Sequence, residues 1–170
     1  MRRAAFIAFA SLVLATPALG VDTMSATPSA EEFAKDVAIS DLFELESSQL
    51  AESKGGDETK TFATKMLADH QKTTEQLKGL VSSGKVKATL PSEMDSAHKV
   101  MLEKLNGLSG PDFDKQYNAD QVTAHRQAVS LFERYSQGGS NPDLRDWATK
   151  TLPTLRHHLE MAQGLKVEPS

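Results

Sequence analysis

A chain of 170 residues with a formal net charge of -4 and no cysteine excludes disulfide staples, thiolate metal sites and iron-sulfur clusters. It carries no Lys/Arg cluster that could track a phosphate backbone, so nucleic acid is not an expected partner. Any metal has to be held by histidine and carboxylate.

The chain opens MRRAAFIAFASLVLATPALG. Two arginines, a short apolar stretch and a small-residue site ending Ala18-Leu19-Gly20 are the layout of a secretory signal peptide, and the apolar stretch is short for a spanning helix. Cleavage after Gly20 is expected, with export to the periplasm or the extracellular cell envelope. Loss of Arg2 and Arg3 takes the net charge from -4 to -6. Residues 21–30 read as a disordered leader, 31–165 as one domain and 166–170 as a tail. No second long apolar run follows, so the mature chain is expected to lack a transmembrane segment.

From Glu31 the pattern is helical, with apolar residues three and four apart and no sustained alternation of period two. Glycine and proline punctuate it at Gly55-Gly56, Gly84, Pro91, Gly107 to Pro111 and Gly138 to Pro142. The spacing predicts helices over 31–54, 57–83, 93–107, 111–137 and 141–165. Asn141-Pro142-Asp143 and Ser109-Gly110-Pro111-Asp112 place a capping side chain, a preset φ and an acid at helix starts. Pro153 falls inside the last helix and predicts a bend near Thr149. Short turns join the first pair of helices and the last pair, whereas the linker from Gly84 to Gly110 is long and carries a helix of its own. The expected fold is all-α: a ferritin-like four-helix bundle with a short extra helix in the long crossover between two hairpins. An up-down-up-down bundle with a capping helix is the competing topology.

Helical periodicity sorts the five histidines. On the last helix His158 lies about 60° from the centre of the apolar face and His157 about 160° away from it. His70 falls in the stripe of Phe62, Met66, Thr73, Leu77 and Leu80, and His125 flanks Phe113, Tyr117, Ala124, Ala128 and Leu131. His98 lies in the stripe of Met94, Met101 and Leu105 in the crossover. At about 1.5 Å per residue, His70, His125, His158 and the acids Asp41 and Glu44 all come near mid-height of a bundle roughly 39 Å long. The first helix has two apolar stripes, one containing Glu44 and the other Glu46, so either carboxylate can be the inward one. An inward carboxylate needs a partner, because burying an unpaired charge is costly.

Imidazole and carboxylate from several facing helices are the ligands with which bundles hold iron, zinc, copper or manganese. The expected metal ligands are Glu44, Glu46, His70, His125 and His158. The di-iron signature Glu-x-x-His is absent, the nearest pattern being Asp95-Ser-Ala-His98, which reads equally as an acid at a helix start. Asp69 and His70 are adjacent and point about 100° apart, so they do not orient one another. No nucleophile elbow and no glycine-rich phosphate loop is present.

The runs DLFELESSQLA (41–51), FATKMLADHQKTTEQLKGL (62–80), LEKLNGLSGPDFDKQY (102–117), HRQAVSLFE (125–133) and WATKTLPTLRHHLEMA (147–162) together resemble the bacterial envelope proteins catalogued as domain of unknown function 4142. The resemblance covers about residues 31–165. It implies a ferritin-like fold and an exported protein, with no established activity. Its pattern has paired glutamates at Glu44 and Glu46, an Asp-His at Asp69-His70, and histidines at His125 and His158 but not at His157. Where that pattern tends to have Leu-Gly, this chain has Ser47-Ser48, which adds polarity beside the expected site. The expected function is therefore that of a non-catalytic, stress-related envelope protein binding a transition metal in its core. A purely structural bundle, or one that binds an envelope protein partner, is the alternative, and a metal-dependent oxidoreductase is disfavoured by the missing Glu-x-x-His motifs.

Overall fold

The computed structural model describes residues 26–166. The expected signal peptide, the first half of the expected leader and all but Lys166 of the tail lie outside the described residues. Among the described residues there are five helices and no strand: α1 (Ala30–Lys54), α2 (Asp57–Ser82), α3 (Ser96–Asn106), α4 (Gly110–Gly138) and α5 (Pro142–Gly164). None of them is long and apolar enough to cross a membrane.

The helix ends follow from local chemistry. Ser29 and Glu32 close a capping box at the start of α1: Ser29 Oγ accepts from the Glu32 N–H at 3.2 Å, and Glu32 Oε2 accepts from the Ser29 N–H at 2.9 Å. Asn141 caps α5 by accepting from the Leu144 N–H at 2.9 Å, with Pro142 as the first helical residue. Ser109 sits at the cap position of α4 without a side-chain bond there, and Gly110, at φ +57°, makes the left-handed step into the helix. The crossover helix is shorter than its periodicity suggests. Asp95 accepts from the His98 N–H at 2.9 Å, so α3 starts at Ser96, and Met94 is buried from the preceding loop. α5 runs unbroken through Pro153. Thr149 and Pro153 are both exposed, so water can serve the carbonyl that the proline leaves without a donor.

Contacts between the ends establish the connectivity. At one end, Asp114 near the start of α4 accepts from the Gly56 N–H in the α1–α2 turn, and the Lys166 N–H beyond α5 donates to Glu58. At the other end, Lys85 beyond α2 pairs with Asp143 at the start of α5. α1 therefore runs up, α2 down, α4 down and α5 up, with the crossover travelling the length of the bundle. α1 packs on α2 and α4, α5 packs on α4 and α2, and α3 lies across α1 and α4. The competing up-down-up-down layout does not occur.

Two apolar clusters fill the interior. One gathers Phe33, Val37, Leu77, Phe132, Tyr135, Leu144 and Trp147, with Phe33 stacked on Tyr135 at 4.0 Å between ring centroids. The other gathers Phe43, Phe62, Met66, Phe113, Tyr117 and Ala162. Each long helix passes from one cluster to the other, and at the change stands a buried polar residue: Asp41 on α1, with Glu44 one turn on, His70 on α2, His125 on α4 and His158 on α5.

Candidate metal centre

Glu44, His70, His125 and His158 are each exposed by 3% or less. The three imidazoles come from three different helices and face one another, with ring centroids 5.6 Å apart for His70–His125, 5.5 Å for His70–His158 and 5.3 Å for His125–His158. One nitrogen from each lies within 4.8 Å of the other two. Two nitrogens on a tetrahedral zinc ion are roughly 3.4 Å apart, given Zn–N bonds of about 2.0–2.1 Å. The three rings are therefore about an ångström of side-chain movement from a closed site.

Each ring is anchored through its other nitrogen. His70 Nδ1 is 2.8 Å from Asp41 Oδ1, and Thr74 Oγ1 donates to Asp41 Oδ2 at 3.0 Å. His125 Nδ1 is 3.0 Å from the Gln121 carbonyl one turn back on α4. His158 Nε2 is 2.8 Å from Asp69 Oδ2, which also accepts from Lys65 at 2.8 Å. A carbonyl only accepts, so His125 carries its N–H on Nδ1 and leaves a lone pair on Nε2. By the same reasoning Asp69 places the His158 proton on Nε2. The second nitrogens, His70 Nε2, His125 Nε2 and His158 Nδ1, are buried without a hydrogen-bond partner, as is Glu44 Oε2. Buried polar atoms are normally paired, and three orphaned nitrogens on three neighbouring imidazoles call for an explanation. A metal-binding histidine has this arrangement: one nitrogen oriented by an acceptor, the other free for the ion.

Charge around the site is uneven. Burial and the neighbouring imidazoles hold His125 and His158 well below the ordinary histidine range, at about 4 each, the Asp69 bond to His158 offsetting only part of the effect. Burial acts on His70 in the same direction, but the Asp41 carboxylate, with Glu44 and Asp69 nearby, outweighs it and raises the His70 pKa. Burial pushes Glu44 up, against the pull of His70. Glu44 Oε1 lies 3.8 Å from His125 Nδ1. Above the site, towards the α1–α2 turn, the polar chain continues: Gln121 Nε2 donates to Ser47 Oγ at 3.4 Å, and Ser48 Oγ shares a 2.9 Å hydrogen bond with the Tyr117 hydroxyl. Ser47 and Ser48 are fully buried and extend the polar centre along α1.

The outcome for the expected ligands is clear. His70, His125 and His158 meet, Glu44 stands beside them, and Glu46 does not join them. Glu46 is exposed, because Glu44 shares its face of α1 with Val37 and Ala51, and that face turns into the four-helix interior. His157 is exposed, as its periodicity predicts. His98 stays outside the cluster: its ring bonds Asp95 at 2.8 Å and packs 5.5 Å from Phe43, so Asp95-Ser-Ala-His98 is a helix cap. Asp41, Asp69 and Gln121 complete the site without having been among the expected ligands. Asp41 stands one turn before Glu44 and Gln121 one turn before His125, spacings that share a helix face. Asp69 does not orient its neighbour His70, but it reaches across to His158.

Comparison with known families agrees with the residues quoted above. Residues 15–165 match the family described as Domain of unknown function (DUF4142), and the chain belongs to it. No curated protein and no solved structure matches.

Proposed function

We propose that this member of the DUF4142 family is an exported envelope protein whose bundle core binds one transition-metal ion through His70 Nε2, His125 Nε2 and His158 Nδ1. Asp41, the Gln121 carbonyl and Asp69 orient the three rings from behind, and Glu44 supplies a neighbouring carboxylate. The observation that carries this reading is a cluster of three buried imidazoles between two apolar clusters, one nitrogen of each within 4.8 Å of the other two and one nitrogen of each left without a hydrogen-bond partner. A purely structural bundle gives no reason to leave those atoms unsatisfied where three more apolar side chains would continue the core. Imidazole-rich sites suit zinc, copper and iron better than manganese. Export is supported by the amino-terminal layout of the sequence, and the long lengthwise crossover is the connectivity that ferritin-like folds use.

The test is metal content. The mature chain, purified without chelators or a histidine tag and exposed in turn to zinc, copper and ferrous iron, is expected to retain about one ion per chain of a preferred metal. The His70→Ala/His125→Ala/His158→Ala variant, with helicity verified by circular dichroism, is expected to retain none. Absence of stoichiometric metal in the parent for all three ions would overturn the reading.

A further inference from the structure

The three core imidazoles have no fourth protein ligand among them. Among the described residues, His70, His125 and His158 are the side chains placed to share one ion, with one nitrogen of each within 4.8 Å of the other two, and Glu44 does not belong to that group. Glu44 Oε1 lies 3.8 Å from His125 Nδ1, the nitrogen already bonded to the Gln121 carbonyl. Water is kept out as well. All three rings are buried, and so are the unpartnered His70 Nε2, His125 Nε2 and His158 Nδ1. One apolar cluster packs on each side of them. A cavity of about 270 Å³ touches His70, but neither His125, His158 nor Glu44 forms any of its wall, so it does not open onto the space between the rings.

We infer that this centre is closed and three-coordinate, and that the ion it takes is copper(I). The inference rests on the metal-site reading above and narrows it to one ion in one oxidation state. Structural zinc sites have four protein ligands, and catalytic ones complete three ligands with water or substrate. Copper(II) takes a square-planar or tetragonal set, and ferrous iron held by histidine and carboxylate keeps positions open to exogenous ligands. Three nitrogens with neither a fourth side chain nor access for water satisfy none of these ions. Copper(I) has a filled d shell, no ligand-field demand for four or six donors, and is stable with three nitrogens in a plane. An ion in the plane of its ligands also spaces them more widely than a tetrahedral ion does at the same bond length, so the rings need less inward movement than zinc would require. Charge acts in the same direction. The ligands are neutral imidazoles between apolar clusters, and the desolvation cost of a buried ion rises with the square of its charge, which favours a monovalent guest.

The experiment titrates the full mature chain with copper(I) under anaerobic conditions, in competition with the chromophoric chelator bicinchoninate, and with zinc(II) in parallel, and records the X-ray absorption spectrum of the copper form. One copper(I) per chain is expected, with a first shell of three nitrogen donors, and half-occupancy by zinc is expected to need at least about tenfold more free metal (about 1.4 kcal/mol). His125→Ala is expected to lose the copper and His98→Ala, outside the cluster, to keep it. His125→Gln serves should the alanine variant fail to fold. Zinc bound as tightly as copper(I), or a fourth light atom in the copper shell, would overturn the inference and leave the metal site standing. Copper lost in His98→Ala and kept in a folded His125 variant would also overturn it, since the ion would then sit at the Asp95–His98 pair. Failure to bind either metal would remove the core metal site itself, and the inference with it.

Discussion

At the residue scale, His125 and His158 differ from His70 in what they ask of the fold. Their rings are held neutral, with pKa values of about 4, among His70, Asp41, Glu44 and Asp69. An unfolded histidine titrates near its ordinary value of about 6.5. Between these two values the unfolded chain takes up protons that the folded chain refuses, so stability rises with pH. For these two groups it is fully present above about pH 6.5 and is lost as pH falls through about 4. Urea unfolding of the metal-free protein at a series of pH values is expected to show this slope, and His125→Gln/His158→Gln is expected to flatten it. Parallel slopes in parent and variant would refute the assignment. His70 is shifted the opposite way, and because it interacts with both rings the slope belongs to the three histidines as a coupled group. The inward direction of all three rings was legible from helical spacing alone. The choice between Glu44 and Glu46 was not, because α1 carries two apolar stripes and only the position of its neighbours decides which one is the core face. The Asp69–His158 pair was not legible either, since it joins residues 89 apart in sequence through helix packing.

At the scale of elements, the boundaries were readable to within a few residues because the capping and turn residues have local causes. α3 is the exception: Glu93 and Met94 at its predicted start lie before the Asp95 cap, and Met94 is drawn into the core from a loop. The α4–α5 turn depends on a close approach. A Cβ on Gly139 would stand 2.5 Å from Tyr135 Cε1 and 2.6 Å from the Tyr135 carbonyl oxygen, and Tyr135 is itself stacked on Phe33. Gly139→Ala is therefore expected to destabilise the protein by about 1–3 kcal/mol, the usual cost of overpacking, as read by thermal or urea unfolding. An unchanged stability would show that the turn relaxes freely. Gly79, around which a Cβ would meet nothing within 4 Å, is the comparison position on α2.

At the scale of the whole molecule, the helices, the hairpins and the long connection were all implied by pattern and punctuation, whereas the direction of the crossover became visible only through contacts such as Asp114–Gly56 and Lys85–Asp143. That connectivity makes every pair of adjacent long helices antiparallel and brings the midpoints of all four together. Two apolar clusters then close off the polar layer from above and below, so its histidines meet in a buried site between them. The central claim, that one ion is shared by His70, His125 and His158, is tested most directly by crystals of the metal-loaded protein and an anomalous-difference map at the absorption edge of the metal. A single peak about 2.0–2.1 Å from His70 Nε2, His125 Nε2 and His158 Nδ1 is the predicted result for zinc. A peak at the surface pair Asp95 and His98, or none in the bundle core of crystals grown with excess metal, would contradict it.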